Sequence, residues 1–191
     1  MKNVILADVD GVLLNWWDAF TFWMHLNGYE KKLQGEYCTA KTFGIAKDLA
    51  DEFEDCFNNS IALESIPPLR DAAKYIRKLH EEHGYVLHCV TAIPNTQQIR
   101  EWRQTNLDSV FGKGVVQRLV CTGSSANKHP ILAEYAGTGV PWVEDKYQNA
   151  EMGLEYGLDV YLIDHEYNRD YGENLDIKRV EKWQEIYEML T

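Results

Sequence analysis

Val4-Ile-Leu-Ala-Asp-Val-Asp-Gly-Val-Leu-Leu14 is the stretch that decides the fold. Four strand-forming residues run into two carboxylates, Asp8 and Asp10, and then Gly11. A buried strand that delivers acids to its C-terminal tip, followed by a tight turn, is how an open α/β sheet builds a site. Side chains alternate along a strand, so positions 8 and 10 share one side of the backbone. Two carboxylates that close repel each other unless a cation sits between them. The plainer reading is a strand ending in a solvated acidic turn; matching pieces later in the chain weigh against it.

Beyond that stretch, short apolar runs alternate with amphipathic helical patterns, which predicts an α/β fold with a parallel sheet and helical crossovers. The expected strands are 4–7, 85–90, 115–121, 140–143 and 158–163, giving a five-stranded, Rossmann-like three-layer sandwich. The ends of these runs carry Asp8, Thr91, Thr122, Glu144-Asp145 and Asp164. Helices are expected after Pro67-Pro68, where Leu69, Ala72, Ala73, Ile76 and Leu79 keep helical spacing, and over 95–106, 147–156 and 178–190. Residues 15–65 break the alternation. Trp16, Phe20, Trp23 and Met24 mark one helix there, and Leu49, Phe53, Cys56 and Phe57 another. The expected organisation is a core of 1–14 and 66–191 with a small helical cap at 15–65. An insertion at the C-terminal edge of a strand sits over the crevice.

The length of 191 residues suits one compact domain with a modest insertion, and 45% hydrophobic residues can fill its core. A formal net charge of -11 argues against a nucleic acid polymer or an anionic membrane as partner. A small phosphorylated substrate stays open, because local charge and a metal decide that. Cys38, Cys56, Cys89 and Cys121 are scattered and form no C-x-x-C pair, which reads as reduced thiols without a zinc cluster. The N-terminus shows no basic and apolar leader, and no apolar run reaches the length of a membrane span. The expected location is the cytoplasm, and the oligomeric state is open.

Phosphoryl chemistry needs a nucleophile, a metal, a proton shuttle and positive groups for the phosphate oxygens. Asp8, Asp10, Thr91, Lys128 and Asp145 could supply all four, each at a strand end or helix start. Singly, Thr91 also reads as a cap, Lys128 as a solvated lysine and Glu144-Asp145 as the cap of the next helix. Their order and strand placement as a set make coincidence a poor explanation.

With these residues in place, the chain resembles the haloacid dehalogenase superfamily of phosphohydrolases. The motifs are Asp8-Val9-Asp10-Gly11-Val12-Leu13, Val90-Thr91-Ala92, Lys128, and Glu144-Asp145 after the apolar run 140–143. The resemblance implies that Asp8 is a nucleophile forming an aspartyl-phosphate, and that Asp10 is the general acid and then the general base. It implies Mg2+ held by Asp8, the Asp10 carbonyl and Asp145. It also implies phosphate oxygens held by Thr91, the Ala92 N–H and Lys128. A narrower resemblance, to 5′(3′)-deoxyribonucleotidases, rests on Asp8 to Trp16 and on the segment 63–72. It implies a nucleoside 5′-monophosphate as substrate and Trp16 as the aromatic that stacks on the base. The chain departs from that pattern at Asn15, at Ala92-Ile93, at Ser125-Ala126-Asn127 and at Glu144. The first three bear on which phosphate ester is taken rather than on hydrolysis.

Other features read as structural. His80-Glu-Glu-His83 lacks the four-residue spacing of a zinc-protease helix. Phe22, Trp23 and Phe53 read as cap core, Trp183 as packing for the last helix, and 167–174 as a surface loop with Arg169. Two other functions stay open: a phosphatase for a sugar phosphate or other small metabolite, and a catalytically silent binding or scaffold protein on the same fold.

Overall fold

The computed structural model describes residues 3–123, 127–171 and 174–191. Ser125 and Ala126, two of the departures noted above, lie outside the described residues. The first strand, β1 (Val4–Ala7), is buried along its whole length. It pairs in parallel with β2 (Val86–Thr91) on one side and β4 (Pro141–Glu144) on the other. Outside these lie β3 (Val116–Cys121), β5 (Asp159–Ile163) and β6 (Ile177–Val180), in the order β3-β2-β1-β4-β5-β6. Every pairing is parallel. In this order the chain first builds outward from β1 through β2 and β3, then crosses back to β4. The crevice at the C-terminal tips of β1 and β4 is therefore the topological switch point where ligands bind in such sheets.

Strand alternation sorts β1 into two apolar layers. Ile5 and Ala7 join the layer of α4 (Ala72–His83), α5 (Gln97–Phe111) and α8 (Trp183–Leu190). Val4 and Leu6 join Leu132 of α6 (His129–Ala133), Trp142 and Ala150 of α7 (Tyr147–Glu155). Gly153 lets α7 lie against β4, since a Cβ there would run into the Trp142 ring. The Asp71 carboxylate accepts from the backbone N–H groups of Trp183 and Gln184, at 3.0 and 3.1 Å, and so caps α8.

The sheet has six strands rather than the expected five. Residues 177–180, expected as the start of the last helix, form β6, and the helix begins at Trp183. A four-residue run with β-branched residues at both ends is ambiguous by periodicity alone. The ladder to β5, with Val160 opposite Ile177 and Ile163 opposite Val180, decides it. Helix α5 runs on to Phe111, beyond the expected end at 106.

Between β1 and α4 lie α1 (Trp16–Leu26), α2 (Thr39–Phe43), α3 (Lys47–Asn58) and a 3-10 turn at Ile61–Glu64. The insertion leaves and re-enters side by side: Asn15 N–H donates to Pro67 O at 2.8 Å and Leu69 N–H to Leu13 O at 2.9 Å. Asn15 caps α1 by accepting from the Asp18 N–H. Phe20, Met24 and Phe57 join the same apolar cluster as Ile5 and Ala7. On α3, Phe57 is buried as expected, whereas Cys56, read as part of the same apolar face, is exposed and Ala50 is buried.

Candidate active site

The turn after β1 is drawn tight by Leu13 and Leu14, whose N–H groups both donate to Val9 O at 2.9 Å. Asp8 N–H donates to Val143 O at 2.9 Å, so the ladder to β4 fixes the first carboxylate. Gly11 has φ +82°, and any Cβ there would collide with the Asp145 carboxylate. The glycine is thus required twice, by the turn and by the close approach of the β4 tip.

Lys128, just ahead of α6, is buried, with Nζ 3.0 Å from Asp8 Oδ1 and 2.6 Å from Glu144 Oε1. Glu144 ends β4 and spends both oxygens on donors. Oε1 accepts from Lys128 Nζ and from Asn149 Nδ2 at 2.7 Å. Oε2 accepts from the N–H groups of Asp145 and Lys146, each at 2.8 Å. Burial pushes its carboxyl upward, but the Lys128 charge and these donors hold it below its ordinary value. Glu144 therefore positions Lys128 and the 144–146 turn and has no oxygen free for a metal. Burial opposes the charge on Lys128, yet Asp8 and Glu144 keep the ammonium well above its ordinary range.

Asp8 and Asp145 are in the opposite condition. Burial, outweighing Lys128, pushes the Asp8 carboxyl up to about 7. Burial, then the nearby Glu144 and Asp8 charges, raises Asp145 well above its ordinary value. Oxygens of Asp8, Glu144 and Asp145 come within 4.8 Å of one another. With Glu144 engaged, Asp8 and Asp145 are the pair that lacks enough positive charge. An all-oxygen donor set of that kind suits Mg2+.

Asp10 faces a residue that sequence reading missed. Arg103 of α5 is 0% exposed, and its Nη2 donates to Asp10 Oδ2 at 2.9 Å. Its Nε and Nη1 have no acceptor among the described residues. Thr91 Oγ1 lies 3.4 Å from the same Asp10 oxygen. Burial raises the Asp10 carboxyl, and Arg103 opposes the rise. Arg103 continues the buried stripe of Ile99, Leu107 and Phe111 at four-residue spacing. A charge in the middle of an apolar stripe was the signal available.

Tyr167 was missed as well. The stretch read as a surface loop opens with a 3-10 turn at Glu166–Asn168, and Tyr167 Oη donates to Asp145 Oδ2. Beside it, stacked at 4.8 Å, is His165, whose ring Burial holds neutral, near a pKa of about 4. A neutral ring facing a carbonyl must carry its proton on Nε2, which donates to Gly11 O at 2.7 Å. Arg169 stays outside and pairs with Asp164 at 2.6 Å.

All the sequence-derived site residues meet in one cavity of about 180 Å3: Asp8, Asp10, Thr91, Ala92, Lys128, Asp145 and Trp16. Trp17, Tyr37, Glu54 and Asn58 of the insertion line its other side. Trp16 stacks on Phe20 at 4.6 Å, and its Nε1 donates to Asn58 Oδ1 at 2.9 Å.

Solved structures share this architecture. A haloacid dehalogenase-like hydrolase of Streptococcus pneumoniae superposes with a TM-score of 0.61 at 14% identity, over 99% of this chain and 98% of its own. The chain has the haloacid dehalogenase-like fold. CbbY of Rhodobacter sphaeroides, solved in complex with phosphate, gives 0.61 at 13% identity, over 97% and 96% of the two chains. YfnB of Bacillus subtilis, solved bound to magnesium, gives 0.61 at 15% identity, over 98% of each. By sequence, the chain is 28% identical over 135 residues to the uncharacterized 32.4 kDa protein in the Gp30-rIII intergenic region of Enterobacteria phage T4. That match covers 67% of this chain and 48% of the phage protein, so the chain spans about half the length of its curated relative. No family model matches the chain. Among the described residues, no helix is long and apolar enough to cross a membrane.

Proposed function

We propose that the chain is a Mg2+-dependent phosphomonoesterase that works through an aspartyl-phosphate and takes (deoxy)nucleoside 5′-monophosphates. The observation that carries this reading is the pairing at Asp8. A buried carboxylate beside a buried lysine, 3.0 Å apart, opens on the same cavity as Asp10 and Asp145. An acid-base group at Asp10 and a charged lysine are more than a binding module requires. Fold likeness alone would not carry the step to function.

In this reading an Asp8 oxygen attacks phosphorus as the ester P–O bond breaks, and Asp10 gives its proton to the leaving alkoxide. Asp10 then takes a proton from water, whose oxygen attacks the phosphoryl group and releases phosphate and free Asp8. Lys128 neutralises charge on the phosphate oxygens, while the Thr91 hydroxyl and the Ala92 N–H fix their positions. Asp8, Asp145 and the Asp10 carbonyl would hold Mg2+, which supplies the positive charge that lets an anionic carboxylate meet an anionic phosphate. Trp16, Trp17 and Tyr37 give the cavity aromatic surface suited to a base.

The test is Mg2+-dependent release of p-nitrophenol from p-nitrophenyl phosphate, followed by a screen of nucleoside monophosphates and sugar phosphates. Asp8→Asn should abolish turnover in a folded protein, since loss of one member of a catalytic unit removes several orders of magnitude in rate. Near wild-type turnover in that variant would refute the covalent route. A sugar phosphate preferred over every nucleotide would keep the chemistry and replace the substrate.

A further inference from the structure

The cavity is polarised. Its two cations, Lys128 and Lys146, both come from the sheet side. Among the described residues, the insertion contributes to the lining only Trp16, Trp17, Tyr37, Glu54 and Asn58, with one charge, and that charge is negative. Glu54 and Asn58 are four apart on α3 and so share a face of that helix. The orientation of the Asn58 amide is set, because its Oδ1 already accepts from Trp16 Nε1 at 2.9 Å. Its Nδ2 is then the group left to donate. Glu54 is half-buried; burial pushes its carboxyl above its ordinary value, opposed first by the Thr39 hydroxyl beside it and assisted by the like charge of Asp51. The insertion's face of the cavity therefore offers a carboxylate acceptor and an amide donor alongside Trp16, Trp17 and Tyr37.

Resting on the phosphomonoesterase reading, we propose that Glu54 is a specificity-determining residue that selects leaving groups with an amino-bearing base and rejects a second anion. A carboxylate accepts well from an exocyclic amino group such as N4 of cytosine. Uracil offers N3–H instead, flanked by two carbonyl oxygens that a carboxylate repels. Asn58 Nδ2 then donates to a ring nitrogen or carbonyl of the same base. A second carboxylate or phosphate on the substrate would face Glu54 with no cation from the insertion to meet it, and like charges brought together select strongly against a ligand.

The experiment compares deoxycytidine and deoxyuridine monophosphates, which differ only at the edge read by Glu54, with phosphoglycolate as the probe that carries a second anionic group. A hydrogen bond to a charged group implies a kcat/KM preference for the cytidine substrate of roughly ten- to a hundredfold. Glu54→Gln keeps the shape and presents an amide that suits either edge, so the preference should collapse to near unity while phosphoglycolate gains relative to the cytidine substrate. An unchanged ratio in Glu54→Gln, or a wild-type preference for deoxyuridine monophosphate, overturns the proposal. Calorimetry with the nucleosides cytidine and uridine reads the same edge without turnover. If p-nitrophenyl phosphate is not hydrolysed but cytidine binds and Glu54→Gln abolishes its advantage, the phosphatase reading fails and the role of Glu54 stands. If p-nitrophenyl phosphate is hydrolysed and neither nucleoside binds, the phosphatase reading stands and the role of Glu54 falls.

Discussion

Arg103→Met should lower both stability and turnover, and both through Asp10. The guanidinium is 0% exposed and the Asp10 side chain 21% exposed, with 2.9 Å between Nη2 and the carboxylate. Removing one partner of a buried ion pair destabilises by about 3–5 kcal/mol, because the other charge is left uncompensated. Asp10 opens on the cavity and can be reached by water or a proton, so the expected loss is at the low end, about 3 kcal/mol. For a chain of this size that lowers the melting temperature by roughly 6–12 °C. Turnover should fall by about a hundredfold or more, since an unanchored Asp10 loses the orientation that general acid-base catalysis needs. The assay is a double-mutant cycle with Asp10→Asn, read by thermal melting and by p-nitrophenyl phosphate hydrolysis. If Arg103 acts through Asp10, the second substitution adds little to the first, and the coupling should exceed about 1 kcal/mol. Additive losses within about 0.5 kcal/mol, or wild-type turnover in Arg103→Met, would refute the reasoning.

Stability should depend on pH through the acid cluster. Asp8 stands at about 7 against an ordinary 3.8, so between those values the folded chain holds a proton that the unfolded chain has lost. The Asp8 contribution in metal-free protein therefore falls as pH rises through that window. Melting in EDTA should show a pH slope that flattens in Asp8→Asn, and Mg2+ should raise the melting temperature more at pH 8 than at pH 5, which thermal scans would check. Tyr167→Phe removes the hydroxyl that donates to Asp145, and should raise the Mg2+ concentration for half-maximal turnover by roughly tenfold. Turnover at saturating Mg2+ should survive, and a metal titration separates the two. Trp16→Ala should reduce kcat/KM on deoxynucleoside monophosphates by about one to two decades if a base stacks on it. Equal losses on p-nitrophenyl phosphate, with a lower melting temperature, would make Trp16 cap core instead.

The residues legible in the sequence are those whose position follows from a strand end. Asp8, Asp10, Thr91 and Asp145 all sit at the tips of β1, β2 and β4, and hydrophobic runs of four to six residues locate those tips without any tertiary knowledge. Lys128 lies ahead of the five-residue helix α6, and its assignment drew on the company of the other motifs. Arg103 escaped because a charge on a predicted helix reads as its solvent face, and only the packing of α5 turns that position inward. Glu54 lies deep inside the insertion, and Tyr167 is separated from Asp8 by most of the chain. Their arrival at one cavity depends on how α3 and the 166–168 turn pack, which no local period encodes. The sixth strand was hidden for a related reason: Ile177 and Val180 acquire their meaning only from a ladder to β5.

The placement of the insertion ties its face of the cavity to the carboxylate cluster. Leu13, which helps to tighten the turn after β1, also anchors the insertion by accepting from Leu69 N–H, and Asn15 N–H adds a second anchor by donating to Pro67 O. Helix α1 starts one residue later, with Trp16 and Trp17 at the cavity. From the other side, Tyr37 of the insertion packs edge-on against Tyr167 at 5.2 Å, and Lys146 Nζ lies 5.7 Å from the Tyr37 ring centre. Tyr167 in turn holds Asp145. Phe20, Met24 and Phe57 share one apolar cluster with Ile5 and Ala7, so the insertion's core is continuous with that of the sheet. A change at Tyr37 should therefore register at the Asp145 end of the site as well as on the insertion's own face of the cavity.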